Sequence, residues 1–95
     1  MYYHITESNN IQSIFEKGLI PSIGERSILL NEKEKCVYLF GSIELAEDAF
    51  CNWLSEYIEE DCILLAVDTV AVFNGSEFTT ENRIPPENIS IVKEL

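Results

Sequence analysis

Ninety-five residues, 46% of them apolar and 11% aromatic, are enough for one domain with an ordinary hydrophobic core and too few for two. Seventeen acidic side chains against six basic ones, a formal net charge of −11, repel phosphate backbones and argue against generic DNA or RNA binding. The same charge suits simple solubility or a basic protein partner. No apolar run approaches the roughly twenty residues needed to span a bilayer, and Met1-Tyr2-Tyr3-His4 does not open a secretory leader, so a cytoplasmic domain without membrane association is expected.

Tyr2-Tyr3-His4-Ile5-Thr6 is an aromatic and β-branched run and predicts a strand. Ser8, Asn9 and Asn10 offer oxygens to cap a helix, and Ile11, Ile14, Phe15 and Leu19 follow at helical spacing with Gln12, Glu16 and Lys17 turned away. Gly18 supplies a left-handed stop and Pro21 forbids continuation. Residues 22–35 read as an irregular excursion holding the brief apolar run Ile28-Leu29-Leu30. Cys36-Val37-Tyr38-Leu39-Phe40, closed by Gly41, predicts a buried strand.

Ser42 is the natural N-cap of a second helix, whose apolar stripe runs through Ala46, Ala49, Phe50, Trp53, Leu54 and Tyr57. Glu44, Glu47 and Asp48 take its wet face near the positive end, whereas Glu59, Glu60 and Asp61 mark where it finishes. The unbroken apolar run Cys62 to Val67 predicts a central strand buried on both faces. A turn at Asn74-Gly75, a strand from Phe78 to Ile84 broken by Pro85-Pro86, and a short last strand from Ile89 to Val92 complete the chain. The order is β-α-loop-β-α-β-β-β, an α+β domain with a sheet flanked by two helices.

Few residues invite chemistry. His4 is the sole histidine, and strand alternation places it on one face with Tyr2 and Thr6. Tyr38 shares a face with Cys36 and Phe40, as a core tyrosine with its hydroxyl at the rim would. Glu77 and Glu81 are two acids near the start of the penultimate strand, among many that only solvate the surface. Cys36, Cys51 and Cys62 are odd in number, widely spaced and set in apolar runs, which reads as inert core thiols rather than a disulfide frame or a metal site. No phosphate loop, dinucleotide fingerprint, nucleophile elbow or zinc-protease motif is present.

Tyr3-His4-Ile5-Thr6, then Asn10 to Ser22 with Gly18-Leu19-Ile20-Pro21, then Val37-Tyr38-Leu39-Phe40 and the helix carrying Glu44 and Ala46, and finally Glu77-Phe78 and Ile84-Pro85-Pro86-Glu87-Asn88-Ile89, stand in one order along most of the chain. That ordered set resembles small bacterial and phage ADP-ribosyltransferase-like domains, relatives of DNA-modifying toxins and of tRNA 2′-phosphotransferases. The resemblance implies a split, strongly bent sheet of about five to six strands with a cleft for a dinucleotide, and NAD as the substrate without a metal. It assigns His4 to a ribose hydroxyl with Thr6 beside it, Tyr38 to packing the nicotinamide, and Glu77, with Glu81 the other contender, to the ribose under attack. Breaking the nicotinamide bond builds positive charge on that ribose, which a nearby carboxylate stabilises while it orients the acceptor. Arg26, Lys33, Lys35 and Arg83 are the cations that remain for the pyrophosphate. The chain lacks the Ser-Thr-Ser strand of the arginine-type transferases and a second aromatic of the diphtheria-toxin-like group. The alternative is therefore an inactive domain of that fold whose acidic surface sequesters or inhibits a basic, nucleic-acid-handling partner, its carboxylates imitating a phosphate array.

Overall fold

The computed structural model describes residues 1–21, 36–52, 61–73 and 78–95. They form six strands, β1 (Tyr2–Glu7), β2 (Val37–Leu39), β3 (Cys62–Val67), β4 (Val72–Phe73), β5 (Phe78–Thr80) and β6 (Ile89–Glu94), with two α-helices, α1 (Ile11–Lys17) and α2 (Ile43–Asn52). The strands make two antiparallel three-stranded sheets, β1-β3-β6 and β2-β5-β4. The α+β class expected from the sequence is the class observed.

β3 is the centre of the first sheet, and its composition explains why. Every residue of the run except Ile63 is buried, and alternation divides the run between two cores. Leu65 and Val67 join Ile14, Leu19, Val37, Leu39, Ile84 and Ile89 in one cluster, with Ile63 packed against it. Cys62 and Leu64 join Ile5, Ala46 and Ala49 in the other, beneath α2. A strand apolar on every residue needs cover on both sides, and here each side has its own. On β6 one extra residue, Val92, falls between Lys93 opposite Leu64 and Ile91 opposite Leu65. That irregularity bends the edge strand, and Lys93 reaches Glu47 on α2 at 2.8 Å.

Local signals acted mostly as expected. The Ser42 hydroxyl accepts the Leu45 N–H at 3.1 Å, so Ser42→Ala should cost about 1 kcal/mol, read as a melting temperature a few degrees lower in an otherwise unchanged transition. Gly18 ends α1 at φ 85°, its N–H on the Ile14 carbonyl at 2.7 Å.

Four expectations need correction. Ser8, Asn9 and Asn10 form a 3-10 turn leading into α1 with no side-chain cap, and the Ser8 N–H donates to the Asp61 carbonyl at 2.8 Å. The Phe78–Ile84 strand stops at Thr80, because the Thr80 hydroxyl accepts the Asn82 N–H at 3.2 Å and turns the chain. β4 was not expected at all, being two exposed residues long. Cys51 is exposed rather than buried. The excursion at 22–35, the extension of the second helix through Trp53, Leu54 and Tyr57, and the Asn74-Gly75 turn lie outside the described residues.

Candidate functional site at the junction of the two sheets

The two sheets meet through an isolated bridge. Tyr3 of β1 and Phe40, just past β2, exchange backbone bonds of 2.9 and 2.7 Å. Continuing that antiparallel register would set Ile5 opposite Tyr38. At this point a side chain intervenes: His4 Nδ1 lies 2.9 Å from the Tyr38 carbonyl oxygen. A carbonyl only accepts, so Nδ1 is the donor, and in the neutral ring Nε2 is then the acceptor nitrogen. The imidazole therefore stands as a strut where pairing of β1 with β2 gives way to two separate sheets.

Register puts the other residues around it. On β1, Tyr2, His4 and Thr6 face the same side as their partners Val67, Leu65 and Ile63 on β3, toward the cluster that also holds Val37 and Leu39. His4 is half-buried and Thr6 is buried. Among the described residues Thr6 and Thr80 are the buried polar side chains. The Thr80 hydroxyl accepts the Asn82 N–H at 3.2 Å.

In the second sheet the pairs Val37–Thr80, Leu39–Phe78 and Phe78–Phe73 share one face, and Tyr38, Thr79 and Val72 share the other. The inner face carries a row of aromatic rings. Phe73 lies 5.1 Å from Phe78 and Phe78 lies 5.0 Å from Tyr2, centroid to centroid, both pairs tilted. Tyr38 offers His4 its carbonyl, while its half-buried ring belongs to the face away from Val37 and Leu39. The aromatic row was missed in the sequence because its members come from three strands, one of them unforeseen.

Glu77, Arg26, Lys33 and Lys35 lie outside the described residues. Glu81 is exposed in the turn after β5. Arg83 is exposed, its Nε donating to the Lys17 carbonyl at the end of α1 at 2.7 Å. Burial, with Glu7 and Asp61 nearby, pushes the Cys62 thiol above its ordinary pKa, so this buried sulfur is held protonated and unreactive. No group of three or more His, Cys, Asp and Glu side chains suited to a metal ion occurs among the described residues, and no helix among them is long and apolar enough to cross a membrane.

No protein-family model matches the chain, and neither the curated proteins nor the solved structures contain a significant match to it.

Proposed function

We propose that the chain is an NAD-dependent ADP-ribosyltransferase or NAD glycohydrolase-like protein that acts on an acceptor still to be identified. The observation that carries this reading is the His4 strut. A histidine on the first strand, its ring anchored through Nδ1 on the Tyr38 carbonyl, stands where the family resemblance assigns a group to a ribose hydroxyl. It does so at the line where the two sheets part, with the Thr6 hydroxyl on the same face of β1. In this reading His4 holds the dinucleotide and Tyr38 orients that imidazole through its carbonyl, while Thr6 is buried on the same face of β1. Glu77, one residue before β5 in sequence, supplies the carboxylate that stabilises charge on the ribose.

A second reading is favoured by one observation. Lys17, Arg83 and Lys93 are the cations among the described residues. Lys93 is paired with Glu47 and the Arg83 guanidinium is turned to a backbone carbonyl, so no basic cradle for a pyrophosphate is assembled there. That supports an inactive domain whose acidic surface binds a basic protein, and both readings place the protein in the cytoplasm.

Thermal unfolding with and without millimolar NAD, followed by an assay for released nicotinamide, separates them. Ligand at a hundred times its dissociation constant adds about 2.7 kcal/mol, which raises the melting temperature of a domain this size by about 10 °C or more. The enzyme reading expects that shift to vanish in His4→Ala and nicotinamide release to be lost in Glu77→Gln while the fold persists. An unshifted transition and no release would overturn it in favour of the binding protein.

A further inference from the structure

We infer that the free edge of β6 is a docking strip for an extended, lysine- or arginine-bearing segment of a partner protein, which joins the β1-β3-β6 sheet as a fourth strand. β6 lies at the end of the strand order, and Ser90 to Glu94 are exposed without a break. The backbone groups that face outward follow from the ladder. The Leu95 N–H donates to the Cys62 carbonyl and the Asp68 N–H to the Asn88 carbonyl, both at 2.9 Å. Counting inward from these two bonds, hydrogen-bonded pairs alternate with open ones. That turns the backbone groups of Ser90 and Lys93 toward β3, and those of Ile91 and Glu94 away from it. The two counts agree because Val92 is the extra residue at the irregularity. The Ile89 N–H donates to the Pro86 carbonyl. The edge therefore offers the Ile89 carbonyl and the N–H and carbonyl of Ile91 and Glu94, with no partner for them among the described residues.

Sheet edges are ordinarily blunted by lysine, proline or a bulge. β6 has no proline, and its one lysine, Lys93, is folded back onto Glu47 of α2 at 2.8 Å. The irregularity at Val92 confines regular pairing to the stretch before it. There Ile91, 53% exposed, gives an added strand an apolar side chain to pack on. Charge selects the occupant. Glu94 ends the strand, Glu87 precedes it, and Asp68 bonds Asn88 through both its N–H and its carbonyl. All three acids are exposed and in no ion pair among the described residues. On a chain of formal charge −11 they repel a second copy, whereas a basic segment gains main-chain bonds and charge together. The strip gives the acidic binding-protein reading above, on which it rests, a location and a mode of attachment.

The probe is an end-blocked peptide of alternating lysine and valine, titrated into the whole chain and followed by NMR of the backbone amides. Two companions separate its contributions. The same peptide N-methylated at every residue keeps the charge without the N–H donors, and a glutamate–valine peptide keeps the donors without the charge. The parent should bind about tenfold more tightly than either, or better, and slow hydrogen exchange at the Ile91 amide by about tenfold or more. Ile91→Pro removes an outward donor and leaves the bonds to β3 in place. It should abolish the parent's advantage, whereas Ile91→Thr, which retains the N–H, should keep it. If Ile91→Pro does not fold, the N-methylated peptide and the exchange at Ile91 decide. Equal binding of the two basic peptides, or no protection at Ile91, would overturn the strip and leave an acidic binding surface elsewhere. No binding of either basic peptide would overturn the strip and the binding-protein reading together. A dimer of the free chain that Ile91→Pro dissociates would overturn the strip in favour of a second copy.

Discussion

Leu64→Ala and Leu65→Ala are each expected to remove about 2–5 kcal/mol of stability, and the double substitution to leave little or no folded protein. Both side chains are 0% exposed, adjacent in sequence, and committed to opposite cores. Each truncation opens a cavity whose lining belongs to a different set of neighbours, so the two costs should nearly add. A domain of this size has on the order of 5–15 kcal/mol in total, and the sum approaches or exceeds the lower part of that range. Urea unfolding of the two single variants, with the m-value unchanged, is the measurement. A loss below about 1 kcal/mol for either would mean that its side of β3 is not closely packed. The pair also separates structure from function: Leu65 stands directly opposite His4, whereas Leu64 faces the cluster under α2. Under the enzyme reading, and at temperatures where both variants remain folded, Leu65→Ala should weaken NAD binding and Leu64→Ala should spare it.

Where a single local rule decides an element, the sequence was readable. Six consecutive apolar residues have few stable fates, and β3 took the central one. Ser42 had one helix to cap and capped it. The failures occur where two local options compete or where the partner is distant. Ser8 to Asn10 had side chains fit to cap α1, but they form a 3-10 turn anchored by the Ser8 N–H on the Asp61 carbonyl, with no side-chain cap. Thr80 is a good strand residue whose hydroxyl is equally good at turning the chain, and the turn prevailed. β4 is held by its register with β5 rather than by its own length or pattern.

The candidate site divides along the same line. Alternation alone put Tyr2, His4 and Thr6 on one face. Nothing in the residues between 4 and 38 announces that the imidazole will take the Tyr38 carbonyl at the parting of two sheets. That contact depends on where β2 docks, a tertiary fact. The aromatic row is likewise an outcome of strand pairing, legible only after β1, β4 and β5 are brought together. The dinucleotide assignment rests on the resemblance of ordered motifs together with this strut.

Gly18→Ala is expected to destabilise the protein by about 3–5 kcal/mol, the reverse of the modest gain that Gly→Ala brings at an unstrained site. The residue has φ 85° and ψ −176°, a combination essentially reserved for glycine, whose imposition on another residue costs on the order of 1–3 kcal/mol. Space adds to the strain. A methyl group at this position would overlap the Ile84 carbonyl oxygen and stand 3.1 Å from the Ile84 carbonyl carbon and 3.3 Å from the Pro85 Cα, all backbone atoms that have no rotamer to yield. That oxygen is the acceptor for the Leu19 N–H, in a bridge whose two bonds are both 2.9 Å. Leu19 and Ile84 are buried in one cluster. Relieving the overlap therefore parts two backbone hydrogen bonds, each worth about 1 kcal/mol, and loosens the packing between the end of α1 and the segment before β6. Ser13→Ala, at an exposed position in the same helix, is the control and should be neutral or slightly stabilising. Equilibrium unfolding of the two variants side by side reads the difference directly. A Gly18→Ala protein as stable as the wild type would show that the exit of α1 is not held against Ile84 in solution, and that the sharp turn after Lys17 can be made another way.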